Sequence, residues 1–348
     1  MPQRKATAVE STSQRLHEQS VVILAHDHLA GLPALNGMLA GGVTAKVLHL
    51  TVDALIWEHG GRRYVESQGL RDGVGWRALA LRALRRVRRT IDSHPDNFAL
   101  ITKPAGIIRA KREGKAGLIL GFEGAKPLEG SLDALREFHA LGVRVIQLTW
   151  AVPNLLVQEG RDAGLTAFGR DVIREMNRLG MVLDIAHLTY LSRRAFFEAV
   201  ELSEKPVMAG HNTVRPLAPQ GELDEEQVRA IAAKGGIIGL HFCSHLVRRS
   251  QDNVRATLDD LVAQVERIAS LVGIEHVALG ADFFRNDKVY ARCMGHNVSW
   301  MRGAANVRQI PNVTRALAER GFRSSDIRKV LGANFMHLFR AVSKRHLK

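Results

Sequence analysis

The chain has 348 residues, with 46% hydrophobic and 24% charged side chains, a globular composition that excludes a disordered or low-complexity protein. Its two cysteines, Cys243 and Cys293, cannot build a disulfide framework or a Cys-rich zinc module, so a reducing, cytoplasmic setting is expected. The formal net charge of +14 attracts polyanions in general, and so asks for an account of where the charge sits.

Residues 1–20 are polar and read as a loose leader, not as a signal peptide. From residue 21 onward, strand-sized apolar runs begin: VVILAHDH (21–28), then VTAKVLHLTV (43–52). Residues 53–115 form an insertion rich in Gly and Arg. Within it, Leu84, Val87 and Ile91 recur at helical spacing between Arg82, Arg85, Arg86, Arg88 and Arg89. That pattern gives a helix with one apolar face and one solvated basic face. Stacking aromatics are scarce around these arginines, which disfavours nucleic acid as a partner.

The runs continue with GLILGFEG (117–124), VRVIQLTW (143–150), MVLDIAH (181–187), PVMAGH (206–211), GIIGLHF (236–242) and HVALGADF (276–283). Amphipathic stretches at 167–179, 224–234 and 254–272 separate them as crossover helices. Eight mostly continuous apolar runs alternating with helices predict parallel strands covered on both faces, and hence an α/β fold of the (β/α)₈ TIM-type barrel class. One barrel domain over 21–348 is expected. No Gly-rich nucleotide fingerprint follows the first run, which argues against a doubly wound open sheet. No run is long enough to span a membrane.

In such a barrel, chemistry sits where strands end. Five of the eight runs end in a residue type that binds metals: His26-Asp27-His28, Glu123, His187, His211 and Asp282. Residues i and i+2 of a strand share a side, so His26 and His28 can face one metal while Asp27 points away. Four imidazoles and two carboxylates, with no thiolate, suit zinc, iron or manganese. Six groups exceed the three protein ligands of a single catalytic zinc, and suit two metals sharing a bridging carboxylate.

The segments GFEGAKPLEG (121–130), GLTAFGRDVIREMNRLGMVLDIAH (164–187), GHNTVRPL (210–217), LDEEQVRAIAAKGGIIGL (223–240), ALGADF (278–283) and SSDIRKVLGANFMHLF (324–339) make the chain resemble the renal (membrane) dipeptidase family of the amidohydrolase superfamily. The resemblance implies a barrel in which Glu123 bridges two zinc ions. His26, position 28 and Asp282 would complete one site, and His187 with His211 would hold the other. It further implies hydrolysis of a dipeptide or a small dipeptide-like amide, with Asp282 and Glu123 as the catalytic carboxylates. Asp282 would act as base and then acid. A homodimer is compatible with this reading.

Three departures stand out. Position 28, normally aspartate in the family, is His28. The strand-four histidine is replaced by Trp150, which should project toward the pocket. The family's substrate-gripping arginine is missing from PQGELDEE, around Gly221 and Glu222, and Arg215 is the nearest replacement. His241, His245 and His296 are further histidines on barrel-mouth segments. These departures motivate two alternatives: an amidohydrolase for an N-acyl amino acid, lactone or cyclic amide, and a non-catalytic binding protein with a basic surface.

Overall fold

The computed structural model describes residues 2–53, 55–59, 62–66, 75–150, 154–158, 162–218, 223–247, 255–284 and 299–344. Each expected run contains a strand: β1 Ile23–Asp27, β2 Ala45–Val52, β3 Ala116–Glu123, β4 Val143–Gln147, β5 Val182–Asp184, β6 Met208–Asn212, β7 Ile237–Leu240 and β8 Val277–Leu279. The strands are parallel and lie side by side in chain order, with β8 pairing back to β1. The β2–β3 pairing, from Ala45 opposite Gly117 to Val52 opposite Glu123, completes a closed eight-stranded ring with helices between the strands. A short strand, Phe98–Leu100, pairs in parallel with the start of β3, from Ala116 to Leu118.

The apolar runs are continuous because each strand has two dry faces. Leu118, Leu120 and Phe122 of β3 pack outward in the core shared with the helices, whereas Ile119 joins Ile23, Val47, Val145, Val182 and Met208 inside the barrel. Phe335, Leu338 and Phe339 belong to that inner cluster, so the C-terminal helix Asn334–Ser343 stoppers the end where the strands begin. Close to the other end the lining must be small. A Cβ on Gly239 or Gly280 would come within 1.9 or 2.0 Å of the Gly210 carbonyl oxygen, so these strands approach closely only as glycine.

Strand parity also aims the polar residues. On β3 the inward positions are every second residue, and Glu123 takes the last of them. On β1 the register slips between Leu24 and Asp27, and past this irregularity His26 and His28 turn inward while Asp27 turns out. The outward Asp27 meets the fully buried Lys46 of β2, whose Nζ lies 3.4 Å from Asp27 Oδ2 and donates to the Leu29 carbonyl at 2.6 Å.

The helices follow their local signals. Ala167–Leu179 starts at a Thr166 cap and ends at Gly180 in the left-handed region, and Glu225–Ala233 opens with a capping box formed by Asp224 and Gln227. In Trp76–Ser93, Leu84, Val87 and Ile91 are buried, while Arg82, Arg85, Arg86, Arg88 and Arg89 are exposed. The 53–115 insertion also holds a hairpin, Leu55–His59 with Arg62–Glu66, and the helix Pro104–Arg112.

The expectation of a loose leader over 1–20 needs correction. Pro2–Gln19 is a helix packed against helix Pro311–Glu319, and its end is anchored by polar contacts. Leu16 and His17 are buried, and the two ring nitrogens of His17 lie 2.7 Å from Thr314 Oγ1 and 2.9 Å from the Gly41 carbonyl. These are tertiary contacts, which a polar segment does not advertise. No helix among the described residues is long and apolar enough to cross a membrane.

Candidate metal centre at the barrel mouth

The six residues expected at strand ends converge. Glu123 stands at the centre with its two oxygens facing different histidines. Oε1 is 2.9 Å from His187 Nε2, 3.4 Å from His211 Nε2 and 3.8 Å from His26 Nε2, whereas Oε2 is 3.1 Å from His28 Nε2. Asp282 closes the His26 and His28 side, with Oδ1 at 3.5 and 3.2 Å from their Nε2 atoms. His26 and His28 place their Nε2 atoms 3.0 Å apart, and so do His187 and His211.

This donor set fits metal ions. Two facing neutral imidazole nitrogens can share one proton at best, so such pairs are poorly satisfied on their own. A tetrahedral ion with bonds of about 2.0–2.1 Å to nitrogen puts its ligand atoms about 3.3 Å apart. The observed separations bracket that edge. His26, His28 and Asp282 form one group of this kind, and His26, Glu123 and His211 form another.

Burial sets the charge states. His26 and His211 are held well below the usual histidine range, first by burial and then by neighbouring histidines. Neutral imidazole is the form that ligates. Burial also opposes charge on His28, but Glu123 and Asp282 override it and push that imidazole up to about 10 in the metal-free protein. Glu123 lies well below the usual carboxylate range because the adjacent His28 and His187 outweigh its burial.

Two of the six residues have strained backbones. His187 has φ 65° and Asp282 has φ 55°, a left-handed conformation costing of order 1–3 kcal/mol in a non-glycine residue and typical of functional sites. Asp184 braces the His187 turn: its Oδ1 accepts from the amides of Ala186 at 3.0 Å and Gly210 at 2.9 Å, the residues immediately before His187 and His211. Burial pushes Asp184 up to about 7.

Further residues surround the centre, and one of them, His49, had no place in the sequence reading. His49 stacks on His26 with ring centroids 3.8 Å apart, and burial pushes it down to about 3. His241 Nε2 lies 3.5 Å from Asp282 Oδ2, which gives one of the three further histidines a position at the centre. His245 instead meets Cys243, Nδ1 to Sγ at 3.1 Å, and His296 lies outside the described residues. Trp150 flanks the second histidine pair, its ring centroid 6.3 Å from that of His187. Arg215 is exposed, and its charge acts on Asp224 at the start of helix Glu225–Ala233. Gly221 and Glu222 lie outside the described residues.

The family model described as "Membrane dipeptidase (Peptidase family M19)" matches residues 35–348. The chain belongs to the membrane dipeptidase family. A curated relative, dipeptidase tcpJ of Claviceps purpurea (strain 20.1), is 30% identical over 262 residues, which are 74% of this chain. The match spans 58% of that relative's length. Among solved structures, an amidohydrolase from Pseudomonas aeruginosa superposes with a TM-score of 0.81 at 24% identity, over 95% of this chain and 98% of that one. A metallo peptidase from Rhodobacter sphaeroides, liganded with a phosphinate mimic of the dipeptide L-Ala-D-Ala, gives 0.74 at 21% identity, over 93% and 100%. At these identities the structural likeness speaks for the barrel shared by this dipeptidase family member and its neighbours.

Proposed function

We propose that this membrane dipeptidase family member is a metal-dependent hydrolase that cleaves the amide bond of a dipeptide or dipeptide-like substrate, using two divalent ions, zinc foremost. The observation that carries this reading is the position of Glu123, one carboxylate oxygen facing His187 and His211 while the other faces His28. A carboxylate so placed can serve two ions at once. His26, His28 and Asp282 would hold one, and His187 with His211 the other. When bound, two such ions supply a water acidic enough to attack at neutral pH and a Lewis acid for the scissile carbonyl.

The remaining work falls to the chain. Asp282 presents Oδ1 to the metal-side nitrogens and Oδ2 toward His241. It would take the proton of the attacking water and return it to the leaving amine nitrogen. Trp150 supplies an apolar wall beside His187, and Arg215 is the cation assigned to the substrate's carboxylate.

The likeness to a metallo peptidase liganded with a dipeptide mimic supports the choice of dipeptides as substrate class. The test is hydrolysis of a panel of dipeptides and N-acyl amino acids by zinc-loaded protein. Activity abolished by a chelator and restored by zinc is expected. No hydrolysis of any member by fully loaded protein would refute the reading.

A further inference from the structure

A cavity of about 380 Å³ lies beside the metal centre on the His28 side. His28 and His49 form its inner wall, Leu50 and Val52 at the end of β2 form another, and Trp76 and Leu79 of helix Trp76–Ser93 form a third. The described lining residues include no lysine, arginine, aspartate or glutamate. The volume is at the small end of ligand pockets, roughly 300–1,000 Å³, with room for one large side chain but not for an extended peptide.

Two features define what such a space accepts. Its walls are mainly apolar, from Leu50, Val52, Trp76, Leu79 and Ala83, so a hydrophobic group gains by leaving water. A charged group would be desolvated there without a counter-ion, at high cost. His49 and Thr51 add polar points to this wall, and Thr51 Oγ1 is buried without a hydrogen-bond partner. Buried polar atoms are normally satisfied, so this hydroxyl can take a neutral donor or acceptor from a bound molecule.

We propose that this cavity is the acyl-side subsite of the enzyme and selects a large, uncharged, apolar acyl group. N-acyl amino acids with aromatic or branched acyl groups are then better substrates than dipeptides bearing a free α-ammonium, for which the described cavity walls supply no carboxylate. The proposal rests on the hydrolase reading above, since it assigns the cavity to that reaction's substrate.

Binding of hydroxamates to the full-length, zinc-loaded protein, read by calorimetry, tests it without requiring turnover. 3-Phenylpropionohydroxamate should bind at least about tenfold more tightly than acetohydroxamate, as expected for burying a phenyl group. Phenylalanine hydroxamate, which adds a free amino group, should lose most of that gain. Ala83 also lines the cavity, and Ala83→Phe should fill it, bringing phenylpropionohydroxamate to the acetohydroxamate level at unchanged zinc content. Leu79→Ala enlarges the cavity and should shift the preference toward a naphthyl analogue, which keeps the test open if the first variant fails to fold. Equal affinity of the wild type for the three hydroxamates would overturn the proposal. Selectivity that survives both substitutions would overturn it too. Selective hydroxamate binding by a protein that hydrolyses no amide would instead refute the hydrolase reading and leave the cavity's selectivity standing.

Discussion

His187 and His211 bring their Nε2 atoms to 3.0 Å from each other while both face the same oxygen of Glu123, at 2.9 and 3.4 Å. The two residues come from different strand ends, and both are tied through the preceding amide to the buried carboxylate of Asp184. Three converging acceptor-capable atoms leave a position that a cation satisfies better than any single proton. The second oxygen of Glu123 repeats the arrangement toward His28.

Glu123→Gln is therefore expected to be the most damaging ligand change. An amide keeps the shape but presents one neutral oxygen where two charged ones served both sides. Outer partners of metal ligands typically cost about 10–100-fold in affinity or activity when removed. Loss of this inner carboxylate should cost at least about 100-fold in kcat and lower metal content. Full activity with full metal content in the variant would remove Glu123 from the bridging role.

His28→Asp tests the departure at position 28. His28 Nε2 lies 3.2 Å from Asp282 Oδ1 and 3.1 Å from Glu123 Oε2. A carboxylate there adds negative charge beside both. Metal binding should survive, and the acidic limb of the pH–rate profile should move to higher pH, because added negative charge disfavours loss of a proton from the attacking water. An identical pH–rate profile would show that position 28 does not ligate.

The metal-free protein should lose stability as pH falls from about 6.5 toward 4. His26 and His211 are held neutral by burial, His49 is pushed down to about 3 and His241 to about 4. In that window the unfolded chain binds protons that the fold refuses. Asp53 and Asp184, both pushed up to about 7 by burial, act in the opposite sense, but two carboxyls oppose four imidazoles. His28, raised to about 10, contributes stability fully present below 6.5 and lost as pH rises through 10. Thermal melts of chelated protein should give the highest Tm near neutrality. A Tm that rises continuously down to pH 4 would contradict these charge states.

Much of the barrel was legible because eight runs with two dry faces leave a continuous apolar signature, and the candidate metal-binding residues stand where those runs end. His49 and Asp184 escaped because they sit inside apolar runs, VLHLTV and VLDIAH. Parity would have found them, since His49 follows the inward Ala45 and Val47, and Asp184 follows the inward Val182. The left-handed backbones at His187 and Asp282 left no such trace, because that conformation usually announces itself by glycine. Docking of the N-terminal helix depends on distant Thr314, which local composition cannot report.

Lys46→Met should show how much the His26–His28 segment depends on the ion pair behind it. Lys46 and Asp27 are both buried, and Asp27 Oδ1 also accepts from the Leu29 amide at 2.9 Å. Removing one partner of a buried pair leaves the other uncompensated, typically costing about 3–5 kcal/mol. Denaturant unfolding should show a loss of that order, with Lys46→Met/Asp27→Leu recovering part of it. A change below about 0.5 kcal/mol in the single variant would mean that the pair is not sustained in solution.

The most direct measurement of the central claim is hydrolysis followed while zinc is titrated into chelated protein, with bound metal counted at each step. The account predicts uptake approaching two ions per chain and full activity only as the second is bound, with Glu123→Gln unable to reach that endpoint. Saturation at one ion with full hydrolysis, or hydrolysis undiminished in metal-free protein, would contradict it.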